Sequence, residues 1–347
     1  MKLGAYTACL HDKTLDEALE ILAGLGLTSA EVNSGGFIGT PHCPVDELLE
    51  SEEARRDYLA VFDRHGIELT ALNCNGNPLH PDLEVRSKHS EDVRRSIRLA
   101  ALLGVKTVIT MSGLPGSEPG TTRPSWNVIP WDSAYKESLD YQWEEVAVPY
   151  WKEIQLLAAE NDVNVAIEMH PHNLVFNPAT LKRLAELTTP EGGRTHVGAE
   201  MDPSHLFWQW IDPVAAIEEL GELVFFAAAK DTLVHETAQV NGVLDDRFEW
   251  IPAEENPLGL GGHYTVTRWP AVPGWSFVAV GRGHAEEFWT RFLTALHKAN
   301  PGLHVNIEHE DASFGQIEGI EYAAKNLIEA GRRSGVVEAP MEERQRG

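Results

Sequence analysis

The chain reads VNVAIEMHPHNLVFNPATLKRLAELTTPEGGRTHVGAEMD from Val163 to Asp202. It begins with an apolar, β-branched run at 163–170, continues through an amphipathic window at 178–187 and ends in a second apolar run at 196–202. A strand, a helix and another strand in this order are typical of a parallel sheet whose crossovers are helical. The stretch therefore predicts an α/β protein.

The same alternation continues in both directions along the chain. The strand candidates are Lys2–Ala8, Ser29–Asn33, Glu68–Cys74, Lys106–Met111, Val163–His170, His196–Asp202, Leu223–Asp231 and Leu303–Glu310. The helical windows that follow them lie at 14–24, 51–65, 89–103, 143–161, 178–187, 213–220, 285–299 and 316–331. Eight such pairs predict a (β/α)8 TIM barrel that forms a single domain over residues 1–335. The charged stretch 336–347 is predicted to be a flexible tail.

A doubly wound open sheet is the rival fold for this alternation. That fold would need a glycine-rich, phosphate-binding turn after its first strand. The segment Tyr6–His11 contains no glycine. The barrel is therefore the favoured interpretation.

Composition excludes several classes of protein. The 347 residues carry a formal net charge of −25, and such a surface repels phosphate backbones and anionic lipids. No run of eighteen apolar residues appears, and the first residues lack the long apolar core of a signal peptide. Three cysteines without metal-ligand spacing favour a reducing compartment. We therefore expect a cytoplasmic protein that binds a small molecule rather than nucleic acid or membrane, as a homo-oligomer or a subunit of a hetero-complex.

Two connections between predicted elements are long, at 112–140 and 232–283. Both follow strands, so both would lie at the C-terminal face of a barrel, where long loops usually act as lids or binding surfaces. Their tryptophans either stack on the apolar faces of sugar rings or simply fix the loops to the barrel. These residues are Trp126, Trp131, Trp250, Trp269 and Trp275.

Acidic and histidine residues stand where several predicted strands end. Glu168, Asp202 and Glu308 follow three different apolar runs, and each has a histidine nearby. A single carboxylate at such a position is usually a helix cap or a surface residue. Three of them at one barrel mouth would repel one another strongly unless a cation lay between them. Carboxylates and imidazoles together suit Mn²⁺, Co²⁺, Fe²⁺ or Zn²⁺.

The chain resembles the xylose isomerase-like superfamily of sugar isomerases and epimerases, and within it a bacterial branch named sugar phosphate isomerases/epimerases. The resemblance covers nearly the whole chain and is most specific at 202–209 and 308–311. The matching segments are Asn75–Pro81, Ser112–Gly116, Pro149–Trp151, Glu168–Pro171, Asp202–Gln209, Lys230–Thr232 and Glu308–Asp311. It implies a divalent metal, first of all Mn²⁺ with Co²⁺, Mg²⁺ or Zn²⁺ as alternatives, held by Glu168, Asp202 and Glu308.

The fourth ligand of that superfamily is missing here. The family pattern His-x-Lys-Asp at the end of strand seven corresponds to Ala228-Ala229-Lys230-Asp231, and alanine cannot bind a metal. Three explanations remain open. In the first, the ligand is replaced by a histidine on or beside the seventh loop, the long connection at 232–283 (His235, His263 or His284). In the second, three carboxylates and water hold the ion. In the third, metal binding has been lost.

The resemblance also implies a reaction, namely abstraction of a proton beside a sugar carbonyl to give a metal-stabilised enediolate. Glu168 and Glu308 would be acid and base, and His170 is either a further base or an orienting partner of a carboxylate. His80, Asn75, His205 and Lys230 would contact the substrate, although Lys230 and Asp231 could instead form a structural ion pair.

Two other functions remain open. A lyase would use the same chemistry for β-elimination on 3-keto glycosides, cleaving a C- or O-glycoside. A sugar-binding or scaffold subunit would have kept the barrel and lost the metal. A phosphate site would call for a cluster of basic residues just before a helix near the mouth, and the sequence shows no such cluster.

Overall fold

The computed structural model describes residues 1–337, and eight of its strands close into a parallel barrel. Helices lie around the barrel, which confirms the predicted TIM-barrel fold. The strands are β1 Leu3–Tyr6, β2 Ser29–Asn33, β3 Glu68–Asn73, β4 Thr107–Met111, β5 Asn164–Glu168, β6 Val197–Met201, β7 Val224–Ala229, β8 Asp231–Val234, β9 Gly259–Gly261, β10 Tyr264–Thr265, β11 Trp275–Val278 and β12 Val305–Ile307. The α-helices are α1 Leu15–Gly24, α2 Val45–Glu50, α3 Glu52–His65, α4 Leu83–Leu103, α5 Ser133–Asp140, α6 Val148–Glu160, α7 Pro178–Thr188, α8 Ser204–Phe207, α9 Pro213–Leu220, α10 Ala238–Asn241, α11 Glu286–Ala299 and α12 Gln316–Ser334.

The barrel is closed by β12, which pairs in parallel with both β7 and β1. The strands β1 to β7 follow one another around the barrel in chain order. Parallel register places Glu168 of β5 opposite Glu200 of β6. Because all eight strands run the same way, the side chains at their C-terminal ends meet at one mouth.

Alternation along the strands separates the barrel interior from the layer beneath the helices. Phe226 packs inside the barrel in a four-residue cluster whose other members come from three neighbouring strands. Those members are Ala71, Ile109 and Ala166. Since strand side chains alternate, Glu168 and Ala228 face the same interior, one level closer to the mouth. Ala227 and Ala229 face the opposite way and pack in the main hydrophobic core.

Local sequence signals account for where the helices begin. Thr14 caps α1 and forms a capping box with Glu17. Asn177 caps α7, which has Pro178 as its first residue. Within residues 1–337, none of the helices combines the length and the hydropathy that a membrane-spanning segment requires.

The two long connections contain more regular structure than the sequence indicated. The fourth loop holds α5 and a π-helix, Tyr141–Ala147, that leads directly into α6. In the seventh loop β8 pairs with β11 and β9 pairs with β10, both antiparallel.

The loop tryptophans differ in their surroundings. Trp126 donates to the carbonyl of Asn173 (2.9 Å), and the buried Trp275 stacks on Trp208, so these residues hold the loops in place. Trp131 and Trp250 remain more than 80% exposed.

The structure describes the first two residues of the predicted tail. Val336 and Val337 pack against the hydrophobic core. The remaining residues of the predicted tail, 338–347, lie outside the described residues.

Candidate active site

Three predicted carboxylates converge at the barrel mouth. Glu168 is the last residue of β5, Asp202 follows β6 and Glu308 follows β12. One oxygen from each lies within 4.8 Å of the other two. Glu168 and Asp202 are buried, while the side chain of Glu308 is 20% exposed. The strand geometry thus gathers Glu168, Asp202 and Glu308 into one set of side chains that opens toward the loops. We call these three residues the carboxylate group.

A side chain lies close to each oxygen of Glu168. Asn75 donates its amide to Oε2 (2.5 Å), and Nε2 of His205 lies 3.3 Å from Oε1. Burial opposes ionisation of Glu168, yet His205, His170 and Lys230 hold its pKa at about 2. Asn75, predicted to touch substrate, therefore orients a carboxylate.

Asp202 is held by the start of α8. Its two oxygens accept hydrogen bonds from the backbone N–H and the hydroxyl of Ser204, each at 2.8 Å. Burial raises the pKa of Asp202 to about 7, with Lys230 opposing the shift. Nε2 of His205 also lies 3.4 Å from Asp202.

His205 is almost completely buried, with 1% of its side chain exposed. Neither ring nitrogen makes a hydrogen bond to a described residue, despite the nearby carboxylates. Its ring lies 4.2 Å from that of His170, centroid to centroid. Burial and the neighbouring His170 lower its pKa to about 3, so the imidazole is neutral.

Lys230 inserts its ammonium group between two carboxylates. Nζ donates to Oε1 of Glu308 and to Oε1 of Glu310, both at 2.8 Å, and lies 4.3 Å from the ring centre of Phe277. Burial disfavours the charged form, yet Glu308 and Glu310 raise the pKa of Lys230 well above its ordinary value. Burial likewise raises the pKa of Glu308, with Lys230 opposing that shift.

The alternative of an ion pair between Lys230 and Asp231 is wrong. Asp231 faces the seventh loop, where Oδ2 accepts from the backbone N–H groups of Gly281, Gly283 and His284, all at 3.0 Å. Oδ1 accepts from Thr232 N–H (2.9 Å) and from Nδ1 of His284 (2.7 Å). Asp231 therefore fixes the loop rather than the lysine.

The histidines of the seventh loop do not replace the missing ligand. His235 pairs with Ser276 (2.9 Å), His284 pairs with Asp231, and His263 packs on Tyr264. In the described part of the chain, the histidines that join a candidate metal-binding group are His170 and His205. Ala228 faces the interior as the resemblance implied, with no donor atom in its side chain.

His80 does not reach the carboxylate group through any contact of the described residues. Its Nδ1 accepts from the backbone N–H of Asp82 (3.0 Å), and its ring lies 5.0 Å from that of Tyr264 in the seventh loop. The structure thus brings Asn75, His205 and Lys230 to the site and directs His80 toward the loop.

Sequence reasoning missed two buried acids inside the barrel and one aromatic residue above it. Burial raises the pKa of Glu31 to about 8, and burial together with Glu31 raises that of Glu200. Both lie within strands rather than at strand ends, so the search for strand-end acids passed over them. Phe277 lies against Lys230 and His205, and no sequence pattern marked it.

The donor set fits a divalent cation. Three carboxylates lie closer together than their mutual repulsion favours, and a buried neutral imidazole has no hydrogen-bond partner among the described residues. A cation would relieve both costs.

Comparison with known proteins decides the family. A family model described as xylose isomerase-like TIM barrel matches residues 14–330. The chain belongs to this family. It is also 34% identical over 331 residues to the uncharacterized protein YfiH of Bacillus subtilis (strain 168), covering 94% of this chain and 98% of YfiH.

Several solved structures share the fold of this chain at low sequence identity. The IOLI protein with a bound zinc atom is 18% identical with a TM-score of 0.60, and covers 96% of this chain and 99% of its own. D-psicose 3-epimerase in the presence of D-fructose is 16% identical with a TM-score of 0.55, and the match covers 96% of this chain and 100% of the epimerase chain. The "probable 3-DHS dehydratase AsbF" of Bacillus anthracis is 16% identical with a TM-score of 0.60, covering 94% and 99%.

Proposed function

We propose that this protein is a metal-dependent sugar isomerase or epimerase that removes a proton beside a substrate carbonyl. The convergence of Glu168, Asp202 and Glu308 within 4.8 Å at the barrel mouth carries the proposal. Membership of the xylose isomerase-like TIM-barrel family, together with structural likeness to sugar epimerases, supports the substrate class.

The three carboxylates would hold the cation. Mn²⁺ is the first candidate, since hard oxygen donors suit it, with Co²⁺, Mg²⁺ and Zn²⁺ as alternatives. A bound divalent ion supplies a Lewis acid that polarises the carbonyl and offsets the negative charge that develops on the substrate.

The protein's own side chains would move the proton. Glu168 and Glu308 come from different strands, β5 and β12, three positions apart around the barrel, so one could take the proton from carbon and the other could return it. Asn75 holds Glu168 through its Oε2, and Lys230 holds Glu308 through its Oε1. The ammonium group also offers a hydrogen-bond donor to a substrate oxygen.

A lyase that cleaves 3-keto glycosides by β-elimination is the second candidate, and the aromatic wall beside the site favours it. Phe277 lies against Lys230 and His205 and contacts Trp269 and Trp275 of the same loop. Trp269 is 40% exposed. Such a surface offers an apolar platform to a group attached to the sugar, which a compact free ketose does not have.

Hydrogen exchange tests the shared chemical step. Ketoses and 3-keto glycosides are incubated with the metal-loaded protein in D₂O, and NMR follows deuterium at the carbon beside the carbonyl and release of the attached group. We expect exchange to fall by at least about 100-fold in Glu168→Gln, because the change removes both a candidate general base and a candidate metal ligand. Glu20→Gln, an exposed change on α1, is the matched control.

The substrates separate the two candidates. Deuterium exchange accompanied by formation of an epimerised or isomerised ketose supports the isomerase. Release of the attached group from a 3-keto glycoside supports the lyase. Exchange in neither class of substrate, with metal bound, would refute both.

A further inference from the structure

Glu168 belongs to two groups of metal-binding side chains, not one. Besides the carboxylate group, its ligand atom lies within 4.8 Å of a nitrogen of His170 and a nitrogen of His205, which lie equally close to each other. The sequence assigned these histidines to acid–base chemistry and substrate contact. Their surroundings in the structure point elsewhere.

The surroundings of His205 suit a metal ligand. Its side chain is 1% exposed, yet neither ring nitrogen has a hydrogen-bond partner among the described residues. Leaving a buried polar atom without a partner is unfavourable, because the atom loses its hydrogen bond to water. Nε2 lies 3.3 Å from Oε1 of Glu168, a separation that two ligands of one ion commonly have.

His170 is oriented as metal-binding histidines usually are. Its Nδ1 lies 2.6 Å from the carbonyl oxygen of Pro171. A carbonyl only accepts, so Nδ1 carries a proton, and in the neutral imidazole Nε2 keeps a free lone pair. A backbone carbonyl that fixes the tautomer in this way is the common outer partner of a ligating imidazole.

The carboxylate group offers no comparable nitrogen. Ala228 has no donor atom, and Glu308 is engaged by the ammonium of Lys230 at 2.8 Å. Two imidazoles and one carboxylate form a donor set preferred by Zn²⁺, Co²⁺ and Fe²⁺, whereas carboxylates alone favour Mg²⁺ and Mn²⁺.

We propose that Glu168, His170 and His205 form a cation position of their own, adjacent to the carboxylate group, that takes Zn²⁺, Co²⁺ or Fe²⁺. Glu168 is shared between the two positions. The proposal concerns metal binding and does not depend on which reaction the protein performs.

Cobalt binding tests the position. Metal-stripped full-length protein is titrated with Co²⁺, and the visible d–d absorption is recorded together with the affinity. We expect His170→Asn and His205→Asn each to weaken binding by at least about 10- to 100-fold and to change the spectrum. Glu308→Gln and the control His235→Asn, a loop histidine, should keep the histidine-type spectrum.

Two results would overturn the proposal. One is an unchanged Co²⁺ spectrum and affinity in both His170→Asn and His205→Asn. The other is loss of all bound cobalt in Glu308→Gln, because the ion would then depend on the carboxylate group.

A measurement on the unaltered protein guards against variants that fail to fold. Pulsed electron paramagnetic resonance of the Cu²⁺-loaded protein should show coupling to imidazole nitrogen, and absence of that coupling refutes the histidine ligands. If the histidine position does not exist, deuterium exchange can still be observed. If the proposed reaction is wrong, the histidine-type cobalt spectrum can still be observed, so the two outcomes are distinguishable.

Discussion

At the scale of single residues, Lys230 controls the charge balance of the mouth. It is 3% exposed and neutralises two carboxylates, Glu308 and Glu310, that would otherwise face each other. Removing one partner of a buried ion pair is costly because the other charge is left uncompensated. Lys230 and a metal ion are therefore alternative sources of positive charge for Glu308.

Substitution of Lys230 by methionine tests this balance. We expect Lys230→Met to lower the free energy of unfolding of the metal-free protein by about 3 kcal/mol. Added Mn²⁺ should restore part of the loss, because the ion can occupy the vacated charge position. Urea denaturation with and without Mn²⁺ measures both effects.

Lys106→Met is the matched control, since Lys106 pairs with Asp162 on the exposed surface. Exposed pairs contribute little, so it should change stability only slightly. Equal effects of the two lysine variants would contradict the role assigned to Lys230.

The sequence predicted the gathering of Glu168, Asp202 and Glu308, because acids at parallel strand ends must meet at one mouth. It could not predict which side chain each would contact. The spacing of Lys230 and Asp231 suggested a pair, yet adjacent residues face opposite sides of an extended chain. The partners of Lys230 come from residues 308 and 310, which only the closed barrel brings near.

At the scale of elements, the seventh loop is fixed at its base by Asp231. This buried carboxylate accepts from three backbone N–H groups at the end of the loop and from one at its start. Asp231→Asn replaces an acceptor by a donor that faces other donors. We expect the free energy of unfolding to fall by about 2 kcal/mol and protease cleavage within 232–283 to become faster. Limited proteolysis followed by mass spectrometry locates the cuts.

Asp246→Asn, an exposed change in the same loop, is the control for that experiment. Identical cleavage rates in the two variants would show that Asp231 does not hold the loop.

A second prediction concerns helix α4 and the turn that carries Asn75. Nδ1 of His89 accepts from the backbone N–H of Asn77 (3.1 Å), and burial lowers the pKa of His89 from 6.5 to about 4. The unfolded chain therefore binds the proton first, and stability decreases as the pH falls from about 6.5 toward 4. Between pH 7 and pH 5 we expect protonation of this residue to lower the free energy of unfolding by about 2 kcal/mol.

Urea denaturation at the two pH values measures this dependence. The variant His89→Gln should be less stable overall. Its free energy of unfolding should decrease less between pH 7 and pH 5 than that of the unaltered protein. An equal loss in the variant and the unaltered protein would assign the pH dependence to other groups.

The barrel strands were predictable because each is a short apolar run flanked by a helical pattern. Ser29–Asn33 was predicted with the bounds that the structure shows. The hairpins of the seventh loop escaped prediction because strands such as Tyr264–Thr265 are too short to show alternation.

At the scale of the whole molecule, the net charge of −25 and the acidic mouth together favour cation binding. An ion that binds the folded chain alone stabilises it by mass action. At 100 times its dissociation constant, Mn²⁺ or Zn²⁺ should raise the unfolding free energy by about 2.7 kcal/mol. Calorimetry with and without a chelator measures the shift, and an unchanged melting temperature would contradict specific binding.

The metal content of protein purified without added metal tests the central claim most directly. Plasma mass spectrometry is applied to the unaltered chain, to Glu168→Gln and to the surface control Glu20→Gln. The shared position of Glu168 predicts a stoichiometric amount of Mn, Co, Fe or Zn in the unaltered chain and in Glu20→Gln, and its loss in Glu168→Gln. Absence of metal from all three proteins, even after soaking in these ions, would contradict the metalloenzyme and leave a metal-free sugar-binding subunit.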